Sequence, residues 1–306
     1  MPEIGAVSAA LMGAVAYGAG DFAGGRAALR LSTFSAVAIA QTVAMALMLQ
    51  QFLSEGGDVP SDDLLKLSLV AGLAYSMGLM LLYHGVAHGR IGIVAPLCGL
   101  FGILIPLGGE LVAGEGTTEW HLVGISLCAI AVVLIAGSAA GCEKGRVGFS
   151  IRTGIVSGVG YGVADLCLGI MPAEAATGSL FVTRSVAAFV ATSLLLVSIL
   201  GRMRVEASSA AGLGSGARAN LGPSQRVNGL HLGVMLAILA GVFDMLGHVG
   251  YVTAAVDGNM GVAAALVALF PAVSVALAIL FLNESVTRRQ VLGFAFGGFG
   301  IFMVTD

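Results

Sequence analysis

One apolar stretch of the sequence carries an acid and a base that could bind a proton or a polar solute. Asp244 lies near the middle of this stretch, and His248 and Tyr251 follow it after four and seven residues. A helix places side chains at this spacing on one face. An acid inside an apolar helix is costly unless it is paired or hydrated, which makes it a functional candidate. We predict that Asp244 exchanges a proton beside His248 or binds a solute; an Asp–His pair that only joins two helices is the alternative.

Two further acids occupy equivalent positions in a short repeated pattern. Asp21 and Asp165 each follow a tyrosine, Tyr17 and Tyr161, by four residues within Tyr-Gly-x-x-Asp. We predict that each acid lies near a helix end that water reaches, which lowers the cost of its charge, and that both make gating contacts. An ion pair with a nearby arginine for Asp21, and a capping role for Asp165, are the alternatives.

Arg184 is the only lysine or arginine that lies inside a predicted apolar stretch and more than three residues from its ends. It could hold a substrate carboxylate or neutralise an aspartate, because a guanidinium binds a carboxylate through two parallel hydrogen bonds. Alternatively, its long side chain could extend outward to the membrane interface. Glu110 and His84 are similar candidates that lie closer to the ends of their stretches.

The stretches that carry these residues belong to a chain with the composition of a membrane protein. Apolar residues make up 58% of it and charged residues 10%, and the mean hydropathy is +0.99, whereas about a quarter of the residues in a soluble domain are charged. A helix of about 20 apolar residues crosses the hydrocarbon core of a bilayer. We predict ten such helices, over residues 4–24, 32–53, 64–87, 91–113, 120–140, 149–170, 177–200, 230–254, 259–282 and 289–305.

Prolines mark two of the predicted helices, the fourth and the ninth. Pro96 and Pro106 lie in the fourth helix, and Pro271 lies in the ninth. Because a proline removes a helical hydrogen bond, we predict that both helices are broken. Interrupted helices at matched positions of two halves are typical of the binding sites of transporters. Bending without any function is the alternative.

The ten predicted helices fall into two similar halves. Residues 89–124 align without a gap on 258–293, and ten of the 36 aligned positions are identical. One of these is a glutamate, Glu115 in the first copy and Glu284 in the second, which we expect to be structural. This alignment has a shift of 169 residues, whereas the first and sixth helices align at a shift of 144. The difference of 25 residues corresponds to a predicted polar, flexible loop over 205–229. We therefore predict an all-α membrane protein with five-helix repeats over 1–142 and 143–306. Because five is odd, the second repeat is inverted in the membrane.

The distribution of positive charge predicts an orientation. If the connections between helices alternate between the two sides, twelve of the lysine and arginine residues fall on one side and only Lys66 falls on the other. The positive-inside rule then places the arginine-rich loops in the cytoplasm. We predict a multi-pass protein of the cell membrane with both termini outside.

At several of these residues the chain resembles the EamA-type branch of the drug/metabolite transporter superfamily. The resemblance implies a ten-helix permease of small organic solutes, and it implies cytoplasmic termini, in contrast to the charge count. The matching segments are Tyr17-Gly18-Ala19-Gly20-Asp21-Phe22, Leu81-Leu82-Tyr83-His84, the stretch from Pro106 to Glu115 and its second copy from Pro271 to Glu284, and the helix-marking glycines Gly124 and Gly293.

Transport is the function that these observations favour. We predict a secondary transporter of small organic metabolites or drugs that works by alternating access, with export favoured by the resemblance and protons as a candidate coupling ion. The predicted partners are the lipid bilayer and a small-molecule solute, with no nucleic acid, and the chain is expected to be a monomer or homodimer.

An integral membrane enzyme is an alternative, but we predict no catalytic residues, cofactor or metal, since HExxH and similar motifs are absent from the sequence. A channel would need a ring of charge, and a membrane sensor or scaffold would be expected to carry a soluble domain.

Overall fold

The computed structural model of the chain describes residues 4–113, 119–136, 144–211, 223–257, 260–282 and 288–305, and statements on structure refer to these residues. The repeated glutamates Glu115 and Glu284 lie outside these ranges. Within them the chain forms eleven α-helices and no strand. The helices are α1 (Ile4–Arg30), α2 (Thr33–Ser54), α3 (Asp62–His88), α4 (Ile91–Ala113), α5 (Glu119–Ala136), α6 (Lys144–Gly169), α7 (Ala173–Ala211), α8 (Pro223–Asp257), α9 (Met260–Val267), α10 (Phe270–Leu282) and α11 (Arg288–Thr305).

Each predicted membrane helix coincides with a helix of the structure, the ninth with α9 and α10 together. Six of the described helices, α1, α2, α3, α4, α7 and α8, are long and apolar enough to cross a bilayer. Large apolar side chains on them, such as Met12, Met77 and Phe189, are more than half exposed, whereas Arg184 and Asp244 are buried. Apolar side chains outside and charged side chains inside are the arrangement expected for a protein surrounded by lipid.

The loop between α7 and α8 is shorter than predicted. α7 continues through residues 205–211, and α8 begins at Pro223. Alanine-rich sequence favours a continued helix, and proline suits the first position of a helix, where its missing N–H has no helical partner. The prediction of a loop over 205–229 is therefore wrong at both flanks, and residues 212–222 lie outside the described ranges.

The prolines of the fourth and ninth predicted helices differ in their effect. Pro96 and Pro106 lie inside α4, which continues through both, so the predicted break of this helix is absent. Membrane helices tolerate internal prolines where neighbouring helices cover the freed carbonyl groups. In the ninth predicted helix, α9 ends at Val267 and α10 begins at Phe270, so Pro271 lies in the first turn of α10. A proline there costs little, because the first N–H groups of a helix have no helical partner.

Close packing of four helices, α1, α3, α6 and α8, builds the centre of the molecule. α1 runs along α8, and α3 runs along α6. At each crossing a glycine lets the two backbones approach: a Cβ on Gly250 would lie 2.6 Å from the Ala9 carbonyl oxygen, and one on Gly160 would lie 2.6 Å from that of Ala74. Small residues allow this close approach of membrane helices. α2 packs on α7 and α8 beside this centre, and α5 packs along α11.

Candidate functional site

A buried ion pair between α7 and α8 lies at the centre of the polar residues. The Arg184 Nη1 and the Asp244 Oδ2 are 2.6 Å apart, and both side chains are almost completely buried. The other terminal nitrogen of Arg184, Nη2, donates a hydrogen bond of 3.2 Å to the Asp244 carbonyl oxygen. Arg184 therefore neutralises an aspartate, which is one of its predicted roles, and it does not extend outward to the membrane interface.

Two side chains from the first half of the chain complete the environment of the Asp244 carboxylate. Gln41 on α2 donates its Nε2–H to Oδ2 at 3.1 Å, and Tyr75 on α3 donates its hydroxyl to Oδ1. The guanidinium of Arg184 also lies over the Tyr75 ring, 4.5 Å from its centroid, in a cation–π contact. Three side chains therefore donate to the Asp244 carboxylate, and one of them carries the opposite charge.

His248 is joined to this ion pair through Arg184 rather than through Asp244. Its Nδ1 accepts a hydrogen bond from Nη2 of Arg184 and lies 2.8 Å from the Tyr17 hydroxyl. Because arginine can only donate, Nδ1 carries no proton, and the proton of the neutral imidazole is assigned to Nε2. The predicted sharing of a proton between Asp244 and His248 therefore has no direct hydrogen bond to support it in the described structure.

Tyr251 shares the face of α8 with Asp244 and His248 but contacts a different helix. Its hydroxyl donates a hydrogen bond of 2.7 Å to the backbone carbonyl of Asp165 on α6. The helical spacing thus places the three side chains on one side of α8, while the neighbouring helices divide them between two environments.

The two acids of the Tyr-Gly-x-x-Asp pattern meet at a small cavity. Tyr17 and Asp21 on α1 and Tyr161 and Asp165 on α6 line it together with residues of α4, α9 and α10, and every lining residue is buried. Its volume of about 20 Å³ is enough for one water molecule. Among the described residues, neither acid forms an ion pair, and the Tyr161 hydroxyl and the Asp165 Oδ1 accept or donate no hydrogen bond.

The prediction that water reaches Asp21 and Asp165 is wrong, since they are only 5% and 7% exposed. α1 continues for nine residues beyond Asp21 to its end at Arg30. α6 does end four residues after Asp165, but Tyr251 of α8 and the methionine that begins α9 cover this end, close to Gly169. The position of a residue within its own helix therefore does not determine its depth in the assembled protein.

Contacts between aromatic rings connect the cavity to the ion pair. The Tyr161 ring centroid lies 5.0 Å from that of Tyr75 and 6.4 Å from that of Tyr17, with the rings edge to face in both pairs. The Tyr17 ring also lies edge to face with His248. The cavity and the ion pair thus form one continuous group, the polar core, whose cavity residues are Tyr17, Asp21, Tyr161 and Asp165 and whose ion-pair residues are Gln41, Tyr75, Arg184, Asp244 and His248.

Glu110 and His84 lie apart from the polar core. Glu110 on α4 is buried and packs against α9, where its carboxylate occupies the space beside Gly261. His84 on α3 is half-buried, with its ring 4.5 Å from that of His88 and its Nδ1 3.5 Å from the Thr33 hydroxyl. Both were predicted as site residues, and neither lines the cavity or contacts the ion pair. In the ranges that the structure describes, no three His, Cys, Asp or Glu side chains are grouped as ligands for a metal ion.

Two open pockets approach the polar core from opposite ends of α2. The α7 vestibule, of about 190 Å³, is lined by Met48, Gln51, Ala173, Ala176, Thr177, Leu180, Val249, Val252, Thr253 and Val256. The α3 vestibule, of about 570 Å³, is lined by Ala28, Leu29, Leu31, Ser32, Thr33, Phe34, Met80, Leu81, His84 and His88.

The polar core lies between these vestibules and is closed to both. Gln41 stands midway along α2, eight residues from Thr33 and seven from Met48, so about 10 Å of helix separates it from either vestibule. On α7, Leu180 of the α7 vestibule precedes Arg184 by a single helical turn. A layer of apolar side chains one turn thick therefore covers the ion pair on this side.

Comparisons with known proteins identify a family and a fold. The model of the EamA-like transporter family matches residues 149–306. A search of the curated proteins finds no match. A solved structure described as "Crystal structure of protein" aligns over 97% of this chain and 98% of its own, with 17% sequence identity and a TM-score of 0.60. At this identity the likeness concerns the fold alone.

Proposed function

The chain belongs to the EamA-like transporter family, and from that premise we propose that it is a permease that moves a small organic solute by alternating access. Its family makes it a multi-pass membrane transporter of the drug/metabolite transporter superfamily. The observation that carries the proposal is a buried polar core between two vestibules that open at opposite ends of α2. A core of this kind can be exposed to one side of the membrane at a time.

We propose further that the halves 1–142 and 143–306 are inverted repeats whose twofold axis passes through the polar core. Tyr75 hydrogen-bonds Asp244, which lies 169 positions later, and the ring of Tyr17 contacts that of Tyr161, 144 positions later. These are the two shifts at which the halves of the sequence align. A residue can contact its own equivalent only close to the axis that relates the repeats.

The environment of two glycines supports the same axis. A Cβ on Gly18 would lie 2.6 Å from the Phe270 carbonyl oxygen, and a Cβ on Gly162 would lie 2.6 Å from that of Phe101. Gly18 corresponds to Gly162 and Phe101 to Phe270 at the two sequence shifts. The contact of α1 in the first repeat with α10 in the second is thus matched by the contact of α6 in the second repeat with α4 in the first.

In this mechanism the polar core joins the two repeats and must rearrange when a vestibule opens. Gln41 and Tyr75 belong to the first repeat, and Arg184 and Asp244 belong to the second. A polar group of the solute can replace one of these contacts, which would link solute binding to the movement of the repeats. Only differences in affinity between the two conformations can drive such a change.

We propose export as the direction, following the family resemblance, and protons as the coupling ion. We propose that Asp21 and Asp165 carry the proton, rather than Asp244, the candidate predicted from the sequence. Asp244 is paired with Arg184 and accepts hydrogen bonds from two neutral donors, whereas Oδ1 of Asp165 has no hydrogen-bond partner among the described residues. A carboxyl group in this environment can bind a proton without breaking an ion pair.

We propose that the α3 vestibule faces the cytoplasm and that the α7 vestibule faces outward. Arg30 and Arg90 lie at the end of the molecule that contains the α3 vestibule, which the positive-inside rule assigns to the cytoplasm. Glu55, Asp58 and Glu174 lie at the opposite end, beside the α7 vestibule.

Cysteine labelling in intact cells tests both the vestibules and the orientation. In a chain without its native cysteines, a membrane-impermeant maleimide should label Thr253→Cys in the α7 vestibule from outside. Met80→Cys in the α3 vestibule should react only after the membrane is permeabilised, and Ala187→Cys, which is completely buried, should react in neither state. Labelling of Thr253→Cys and Met80→Cys from the same side would contradict alternating access; reversed sides would overturn the orientation and leave the mechanism standing.

A further inference from the structure

We propose that the cavity between Asp21 and Asp165 binds a cationic nitrogen, so that the solute carried by this permease is a small organic amine or ammonium compound. The proposal rests on the proposed transport function and names its substrate class. It depends on the balance of buried charge, on unpartnered polar atoms at the cavity, and on the aromatic side chains of its wall.

The buried charges of the described residues are unbalanced in favour of acids. Three carboxyl side chains of the polar core are buried, those of Asp21, Asp165 and Asp244, against one guanidinium, that of Arg184. That guanidinium lies 2.6 Å from Asp244 and is therefore already paired. The buried histidine of the core supplies no positive charge, because its Nδ1 accepts a hydrogen bond from arginine.

Asp21 and Asp165 are the two acids of the polar core that form no ion pair among the described residues. A carboxylate buried without a partner costs several kcal/mol, and Asp21 and Asp165 line the same small space without a basic side chain among the residues that line it. A cation placed between them would be attracted by both. An anionic solute would meet the opposite situation, since Arg184 would first have to leave Asp244.

The walls of the cavity suit an organic cation better than a bare metal ion. Tyr17, Tyr161 and Phe270 line it, and the faces of aromatic rings attract ammonium groups. The hydroxyl of Tyr161 and Oδ1 of Asp165 are buried and have no hydrogen-bond partner within the described structure. Oδ1 of Asp165 can therefore accept a hydrogen bond from an N–H group of the solute, and the Tyr161 hydroxyl can donate one to a polar atom of the solute.

The cavity has room to widen on the side of α4. A Cβ on Gly102, one of its lining residues, would contact nothing within 4 Å, so space remains around this position. The volume of about 20 Å³ is enough for one water molecule and too small for an organic amine. Loading an amine requires α6 of the second repeat to move away from α4 of the first, which is a movement of the two repeats relative to each other.

The α7 vestibule, which we propose faces outward, carries a negative charge at its mouth, that of Glu55. Hydrogen bonds from Thr177 and from Gln51 lower the pKa of the Glu55 carboxyl below its ordinary value, so it stays negative at neutral pH. Both donors line the α7 vestibule. A negative group at the mouth of the exit path attracts a cation that leaves the polar core, whereas it would repel an anion.

Binding of benzylamine to the purified full-length chain in detergent tests the proposal. Benzylamine is protonated at neutral pH, and benzyl alcohol and benzoate are its neutral and anionic counterparts of similar size. We expect benzylamine to bind at least tenfold more tightly than either one. Equal binding of benzyl alcohol would overturn the proposal, and this comparison requires no variant.

Variants of the two acids locate the site. Asp21→Asn and Asp165→Asn should each weaken benzylamine binding at least tenfold, while Asp63→Asn, at an exposed acid paired with Lys66, should not change it. Both cavity variants should unfold at the same or a higher temperature than the wild type, because a buried unpaired carboxylate has been removed. Unchanged benzylamine binding by both variants would place the cation elsewhere and overturn the assignment.

The outcomes separate this inference from the proposed function. If the vestibules label from opposite sides but benzylamine has no advantage over benzyl alcohol, the permease stands and the cationic substrate class is wrong. If benzylamine binds through the two acids but both vestibules label from one side, the cation site stands and alternating access is wrong.

Discussion

Replacing Arg184 by glutamine is expected to destabilise the protein by about 3–5 kcal/mol, because it leaves the Asp244 carboxylate buried without its counter-charge. Asp244→Asn should have a similar effect, since the guanidinium, which is completely buried, then lacks a partner. Thermal unfolding in detergent, followed by the exposure of buried cysteines to a fluorescent thiol reagent, measures the loss.

The double variant Arg184→Gln, Asp244→Asn should recover most of this stability. Removing both charges removes the cost of burying them, and neutral amides can still form hydrogen bonds to Gln41 and Tyr75. Lys66→Gln is the matched control: it breaks an ion pair of 2.8 Å between two exposed side chains and should leave the unfolding temperature unchanged. A double variant as unstable as the sum of the two single variants would show that the residues do not act as a pair.

Introducing a methyl group at Gly241 is expected to separate α2 from α8 and to disrupt the ion-pair side of the polar core. The Cβ of Gly241→Ala would overlap the backbone carbonyl of Ala40, which cannot move without the helix that carries it. Gln41, the next residue, would then lose its hydrogen bond of 3.1 Å to Asp244. We expect a loss of about 1–3 kcal/mol from overpacking, together with a lower yield of monodisperse protein in size-exclusion chromatography.

Gly201→Ala provides the control for this substitution. Gly201 lies on α7, where an added Cβ would contact nothing within 4 Å. Alanine favours a helix over glycine by about 1 kcal/mol at either position, so the difference between the two variants isolates the contact between helices. Equal unfolding temperatures for the two variants would mean that α2 and α8 do not pack as closely as described.

Hydropathy predicted the helices well because length and apolarity are local properties of the chain. The spacing of Asp244, His248 and Tyr251 likewise predicted a shared face of one helix. The partners of Asp244 could not be predicted in this way: Arg184 and Gln41 lie 60 and 203 residues away in the sequence. Their contacts depend on how three helices pack against one another.

Gln41 was missed altogether, and the sequence gives a reason. A neutral amide in an apolar helix is a weaker indication of a functional site than a charge, since its desolvation costs less. Its position in the middle of α2, far from either end of the apolar stretch, was the signal that could have identified it. Tyr75 had a better signal, because the repeat aligns it with Asp244.

The burial of Asp21 and Asp165 shows where the reasoning from a single helix fails. Their shared pattern predicted a pair, and both acids line one cavity, but their depth was judged from the ends of their own helices. Neighbouring elements determine depth instead: α9 begins beside the end of α6 and covers it. The same applies to Pro96 and Pro106, whose lost hydrogen bonds the surrounding helices of a membrane protein can accommodate.

Solute efflux from proteoliposomes tests the central claim most directly. Vesicles containing the wild type, or the Arg184→Gln, Asp244→Asn double variant, are loaded with a mixture of small polar metabolites and amines, and the external solution is followed by mass spectrometry. We predict that at least one small organic solute leaves the wild-type vesicles and that its rate falls at least tenfold with the folded double variant. Absence of any protein-dependent efflux, or equal rates for the two proteins, would contradict a permease that works through the buried polar core.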